Sequence, residues 1–170
     1  DADAAALTAA NLSALGGKTA GTVTVTNAVA ITGDHDQVTA ALVTAGTKVE
    51  VSDATVTIND ADGVTVSAAE LTAITGATTG TVTVTNAVVV TGDHDQVTAA
   101  LVTAGTKVAV TDVAATVSDA DATEITASEL SAIGGATTGT VTVTNAVAIS
   151  GTTDEVTAAL VTAGTLVEVT

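Results

Sequence analysis

The sequence predicts an α/β repeat solenoid, and three observations carry that prediction. The chain repeats itself at an offset of 59 residues. Within each period, hydroxyl or carboxylate capping residues introduce Ala-rich stretches with helical apolar spacing. Between those stretches Val and Thr alternate with the period of two that a strand requires. A parallel sheet on one wall and short helices on another accounts for both periods, with about six coils in the chain. The alternative is an all-β solenoid in which the Ala-rich stretches are extended.

The repeat is plain in the letters. Thr22–Val49 recurs at Thr81–Val108, with Ala30 and Ile31 becoming Val89 and Val90, and recurs again from Thr140. Thr8-Ala-Ala-Asn11-Leu12 aligns with Ser67-Ala-Ala-Glu70-Leu71 and with Thr126-Ala-Ser-Glu129-Leu130. Each 59-residue unit divides into two related coils, Ser67–Gly92 and Asp93–Ile125 in the middle copy. Residues 1–170 are therefore expected to form a single repeat array, a portion of a longer one.

Helix starts follow from capping chemistry. Ser67 with Glu70, and Thr126 with Glu129, have the capping-box spacing of a hydroxyl followed three residues later by a carboxylate. Asp34 with Gln37, Asp93 with Gln96, and Thr152 with Glu155 share that spacing. Val38 and Leu42, with their copies, give apolar pairs four apart on one helix face. Gly46, Gly105 and Gly164 are the expected stops. Strands are expected from Val23 to Ile31, Val82 to Val90 and Val141 to Ile149, each with one aliphatic parity. A second type runs from Val49 to Ile58 with a bend at Asp53. Asn27, Asn86 and Asn145 lie on the aliphatic parity, where an amide satisfies backbone groups at a coil corner.

Composition excludes several chemistries. Of 170 residues, 19 are acidic and 3 basic, and Cys, Pro, Met, Phe, Tyr and Trp are missing. Thiolate metal sites and disulfides are impossible, and three lysines without arginine cannot neutralise a nucleic-acid backbone. Apolar runs are too short to span a bilayer. No nucleophile stands in a recognisable elbow, so no enzymatic activity is expected.

The acidic loops are the candidate metal sites. They hold Asp34 and Asp36, Asp60 and Asp62, Asp93 and Asp95, and Asp119 and Asp121. Alternate carboxylates near glycine are oxygen donors of the kind that bind Ca2+, although the helix–loop–helix ligand spacing is not met. Helix caps and polar turns are the competing account. His35 and His94 lie 59 residues apart, so no cluster between them is expected. Thr22, Thr24 and Thr26, with their copies, offer Thr-x-Thr arrays of the kind that order surface water, interrupted by Lys48 and Glu50.

The phrases Thr78-Thr79-Gly80-Thr81-Val82-Thr83-Val84, Val97-Thr98-Ala99-Ala100-Leu101 and Val66-Ser67-Ala68-Ala69-Glu70-Leu71 resemble tandem repeats of very large bacterial extracellular proteins, marine and cyanobacterial ones in particular. That resemblance implies a secreted or cell-surface spacer, an adhesin stalk or a coat component. It assigns no catalytic residues. The expected partners are neighbouring repeats of the same protein, with lateral self-association, and neither nucleic acid nor a membrane span. The alternatives to a structural role are an extracellular Ca2+-binding module or an ice-binding surface.

Overall fold

The computed structural model describes residues 1–44, 46, 49–103, 108–110, 112–162 and 167–169. The first period supplies β1 (Ala6–Thr8), α1 (Ala9–Gly16), β2 (Val23–Val25), β3 (Ala30–Gly33), α2 (His35–Leu42), β4 (Val49–Val51) and β5 (Thr55–Ile58). The second repeats the order as β6 (Thr65–Ser67), α3 (Ala68–Gly76), β7 (Val82–Val84), β8 (Val89–Gly92), α4 (His94–Leu101), β9 (Val108–Ala109) and β10 (Ala114–Val117). The third supplies β11 (Glu124–Thr126), α5 (Ala127–Gly135), β12 (Val141–Val143), β13 (Ala148–Ser150), α6 (Thr153–Leu160) and β14 (Val167–Val169).

Local chemistry sets the helix ends. Asp34, Asp93 and Thr152 hold extended backbone and accept the amide of the residue three positions on. Reciprocal capping boxes close at Asp93 with Gln96, Thr126 with Glu129, and Thr152 with Glu155. The C-termini do not wait for the glycines. After Leu42, Thr44 donates its backbone N–H at 2.9 Å and its hydroxyl at 3.2 Å to the Thr39 carbonyl. Thr103 and Thr162 close α4 and α6 on Thr98 and Thr157 in the same way. A threonine thus satisfies a last-turn carbonyl where glycine was expected. Gly105 and Gly164 lie outside the described residues.

The strand expected from Val23 to Ile31 is two strands. Val29 N–H donates to the Asn27 carbonyl at 2.8 Å, a three-residue turn that separates β2 from β3. Asn86 and Asn145 make the same turn. The amide of Asn27 donates to the Asp1 carbonyl, and that of Asn145 to the Asp119 carbonyl, each at 2.5 Å.

Among the described residues all strand pairs are parallel, and they form two five-stranded sheets and two two-stranded ones. One large sheet has the order β1-β3-β5-β7-β9 and the other β14-β12-β10-β8-β6, beside the pairs β2-β4 and β11-β13. The described residues fall into two compact units. One draws on Asp1–Asp60, Glu70–Thr85 and Thr106–Ala109, the other on Ala61–Ala69, Asn86–Gly105 and Val110–Thr170.

This corrects the expectation of one continuous solenoid of about six coils with a single parallel wall. The cause lies in the strand count. The middle period contributes five strands, of which β6, β8 and β10 join one sheet and β7 and β9 the other. Successive strands therefore alternate between two sheets, and no single wall forms. The all-β alternative fails on the six helices among the described residues.

Each unit has an aliphatic core. Ile31, Val56, Ile58, Val82 and Val84 are buried in the first, and Val90, Val117, Ile125, Leu130, Ile133, Val141 and Val143 in the second. Backbones approach most closely at two glycines. A Cβ on Gly80 would lie 2.2 Å from the Ala54 carbonyl oxygen, and one on Gly139 equally close to that of Val113. The hydroxyls of buried Thr78 and Thr137 donate to those same carbonyls. Of the Thr-x-Thr arrays, Thr22, Thr24 and Thr26 are exposed, as are Thr81, Thr85, Thr140 and Thr144, while Thr83 and Thr142 are half-buried.

Candidate metal centre

His35 is the first residue of α2, placed there by the Asp34 cap. Asp60, just beyond β5, reaches it from the next coil within the same unit. Its carboxylate accepts the His35 backbone N–H at 2.8 Å and pairs with Nδ1 at 2.7 Å. The two side chains keep 14% and 5% of their exposure. A carboxylate on Nδ1 makes that nitrogen the proton carrier and turns Nε2 outward.

Nε2 faces Asp36 Oδ1 at 3.6 Å. Glu70, in the first turn of α3, completes a group of three whose donor atoms all lie within 4.8 Å of one another. Burial acts to lower the His35 pKa, but the hydrogen bond to Asp60 and the charges of Asp60, Asp36 and Glu70 together raise it above the usual histidine value. Even a protonated imidazole leaves three carboxylates around one positive charge. The group can coordinate a divalent cation.

The same construction recurs 59 residues on. Asp119 accepts the His94 N–H at 2.8 Å and pairs with Nδ1 at 2.7 Å, while Nε2 lies 3.5 Å from Asp95. Glu129 Oε2 accepts the Thr126 hydroxyl at 2.7 Å and N–H at 2.9 Å, and these bonds lower its pKa. Among the described residues only His35, Asp36 and Glu70 converge as a group of three. The third copy has Thr153 in place of histidine.

The eight aspartates expected as Ca2+ ligands have separate tasks. Asp34 and Asp93 cap α2 and α4. Asp60 and Asp119 are buried against histidines. Asp62 and Asp121 accept the amides of Ala87 and Ala146 at 3.0 and 3.1 Å. Asp36 and Asp95 stand exposed in first turns. From its spacing to Ser67, Glu70 is expected only as a capping residue. Its place beside His35 was missed because the two lie 35 positions apart, although both recur at the same 59-residue offset.

Three expectations are corrected by this geometry. A purely structural spacer, stalk or coat does not account for a convergent His/Asp/Glu group supported by a buried carboxylate. The exclusion of enzymatic chemistry fails for the same reason, since the group is a possible catalytic or metal-binding centre. The resemblance to repeats of large extracellular adhesin-like proteins is also not upheld, because the chain forms two compact α/β units carrying such a group. No protein family, curated protein or solved structure matches the chain.

Proposed function

We propose that the chain binds a divalent cation through His35 Nε2, Asp36 and Glu70, with Asp60 orienting the imidazole. The observation that carries this reading is the Asp60–His35 pair, the carboxylate–histidine arrangement that supports metal-ligating imidazoles. The donor set decides between cations. Calcium takes oxygen ligands almost throughout, whereas one imidazole and two carboxylates suit Zn2+ or a neighbouring transition metal. Tetrahedral zinc with bonds of about 2.0–2.1 Å places its ligand atoms about 3.3–3.4 Å apart. His35 Nε2 and Asp36 Oδ1 are already 3.6 Å apart, and the donor atoms of the group of three all lie within 4.8 Å of one another.

Titration calorimetry with Zn2+ and with Ca2+ on metal-stripped protein tests the reading. Zinc is expected to bind with one strong equivalent, lost in Glu70→Gln and in His35→Asn, with calcium far weaker. Zinc uptake that survives both substitutions, or calcium bound as tightly as zinc, overturns it. A melt without metal shows separately that each variant is folded.

A further inference from the structure

Asp62–Gly63 is the one Asp-Gly step in the sequence, and no Asn-Gly step occurs. Both residues are exposed, just before β6. A glycine after aspartate leaves its own amide nitrogen unhindered, so that nitrogen can attack the side-chain carboxyl carbon. The backbone favours glycine here as well, since Gly63 has a φ of +78°. In the third period the equivalent step is Asp121–Ala122, and Ala122 takes that conformation at a φ of +65° with a methyl group on the attacking residue.

The two groups that would react are tied to one residue. Gly63 N–H donates to the Ala87 carbonyl at 2.8 Å, and the Asp62 carboxylate accepts the Ala87 N–H at 3.0 Å. Just beyond, Val89 N–H donates to the Val64 carbonyl at 2.8 Å, and β6 pairs with β8 from Thr65 and Val89 onward. The Ala87 bonds are thus a latch at the head of that strand pair. While it is closed, the proton that Gly63 must lose and the carboxylate it must attack are both engaged. Asp121 and Ala122 hold Ala146 by the same two bonds, at 3.1 and 2.8 Å.

We propose that Asp62–Gly63 is a site of spontaneous aspartate isomerisation, held in check by the Ala87 latch. When the loop opens, the Gly63 nitrogen bonds to Asp62 Cγ, and the carboxyl hydroxyl leaves as water with the amide proton. Water then opens the cyclic imide. Attack at Cγ restores aspartate, whereas attack at the main-chain carbonyl routes the backbone through Cγ. The second product has an unchanged mass, one more methylene in the chain and a displaced carboxylate. It cannot remake both bonds to Ala87, so the start of β6 is loosened from β8.

The test is to incubate the intact chain folded and in urea, then digest it with a protease that cuts before aspartate but not before its isomer. In urea, cleavage before Asp62 is expected to disappear with time while cleavage before Asp121 persists. In the folded chain the loss is expected to be roughly tenfold slower or more, because it waits on local opening. Gly63→Ala, which the fold accommodates at the equivalent Ala122, is expected to keep its cleavage even in urea. After refolding, the converted chain is expected to exchange its Val89 amide hydrogen roughly tenfold faster than the unconverted chain. Equal loss in folded and unfolded chain, loss before Asp121 as fast as before Asp62, no loss in urea, or unchanged exchange at Val89 each overturns the proposal.

Discussion

Replacing Asp60 by alanine removes the acceptor of two hydrogen bonds at once, from the His35 N–H at 2.8 Å and from Nδ1 at 2.7 Å. Hydrogen bonds to a charged group contribute about 1.5–3 kcal/mol each, and deleting one member of an enclosed ion pair costs about 3–5 kcal/mol. His35 keeps the Asp36 carboxylate beside Nε2, so its positive charge is not wholly abandoned. A loss of about 3 kcal/mol is therefore expected, at the lower end of that range. Asp60→Asn, which retains one acceptor oxygen, is expected to lose roughly half as much.

The loss has a pH signature. Burial opposes protonation of His35, yet Asp60, Asp36 and Glu70 raise its pKa in the folded protein. A raised pKa means that the stabilising contribution is complete below the unfolded value of about 6.5 and disappears as pH climbs through the folded value. Urea unfolding of Asp60→Ala and the parent chain at about pH 5.5 and about pH 9 measures the difference on both sides of that window. The His94 pair is common to both proteins and cancels. The gap is expected to be wider in acid. A gap below about 0.5 kcal/mol, or one equal at both pH values, refutes the reasoning, because it would mean that the pair is no stronger than a surface contact.

Two further substitutions test packing. Gly80→Ala places a methyl group 2.2 Å from the Ala54 carbonyl oxygen and should cost about 1–3 kcal/mol or more, whereas Gly76→Ala meets nothing within 4 Å and should be neutral or stabilising; thermal melts of the pair decide. Thr39 Oγ1 is buried with no hydrogen-bond partner, so Thr39→Val should raise stability by about 1 kcal/mol; a drop in the urea midpoint would show that the hydroxyl has a task the structure does not reveal.

Helix starts were legible in the sequence because capping is local. Asp93 and Gln96 need only three residues' spacing to satisfy each other, and the structure shows that box. The helix ends were not, since Thr44 and its copies do the work assigned to glycine. The break at Asn27 was hidden by an unbroken parity of Val23, Val25, Val29 and Ile31, because a three-residue turn leaves alternation intact. The division into two sheets was hidden more deeply. Periodicity states that strands recur, not which neighbour each one takes. The site was half legible. His35 and Asp36 are adjacent, but Asp60 and Glu70 are brought to them from the next coil, 25 and 35 residues on.

Proton and cation compete for the same nitrogen, and this links the fold's pH dependence to its proposed ligand. With a net charge of -16, the chain has few cations of its own, and around His35 three carboxylates face one imidazole. Without metal, protonating Nε2 relieves that excess, so stability contributed by His35 falls as pH rises. With Zn2+ bound, the ligand must be the neutral imidazole, and a ligand that binds only the folded state adds stability as its affinity grows. The contribution then rises with pH through the same window. Urea midpoints measured from acid to alkaline pH, with and without zinc, should therefore diverge as pH rises in the parent chain and coincide in His35→Asn. Curves that run parallel in the parent chain would mean that Nε2 is not a ligand, and the carboxylates alone would then have to account for any cation bound.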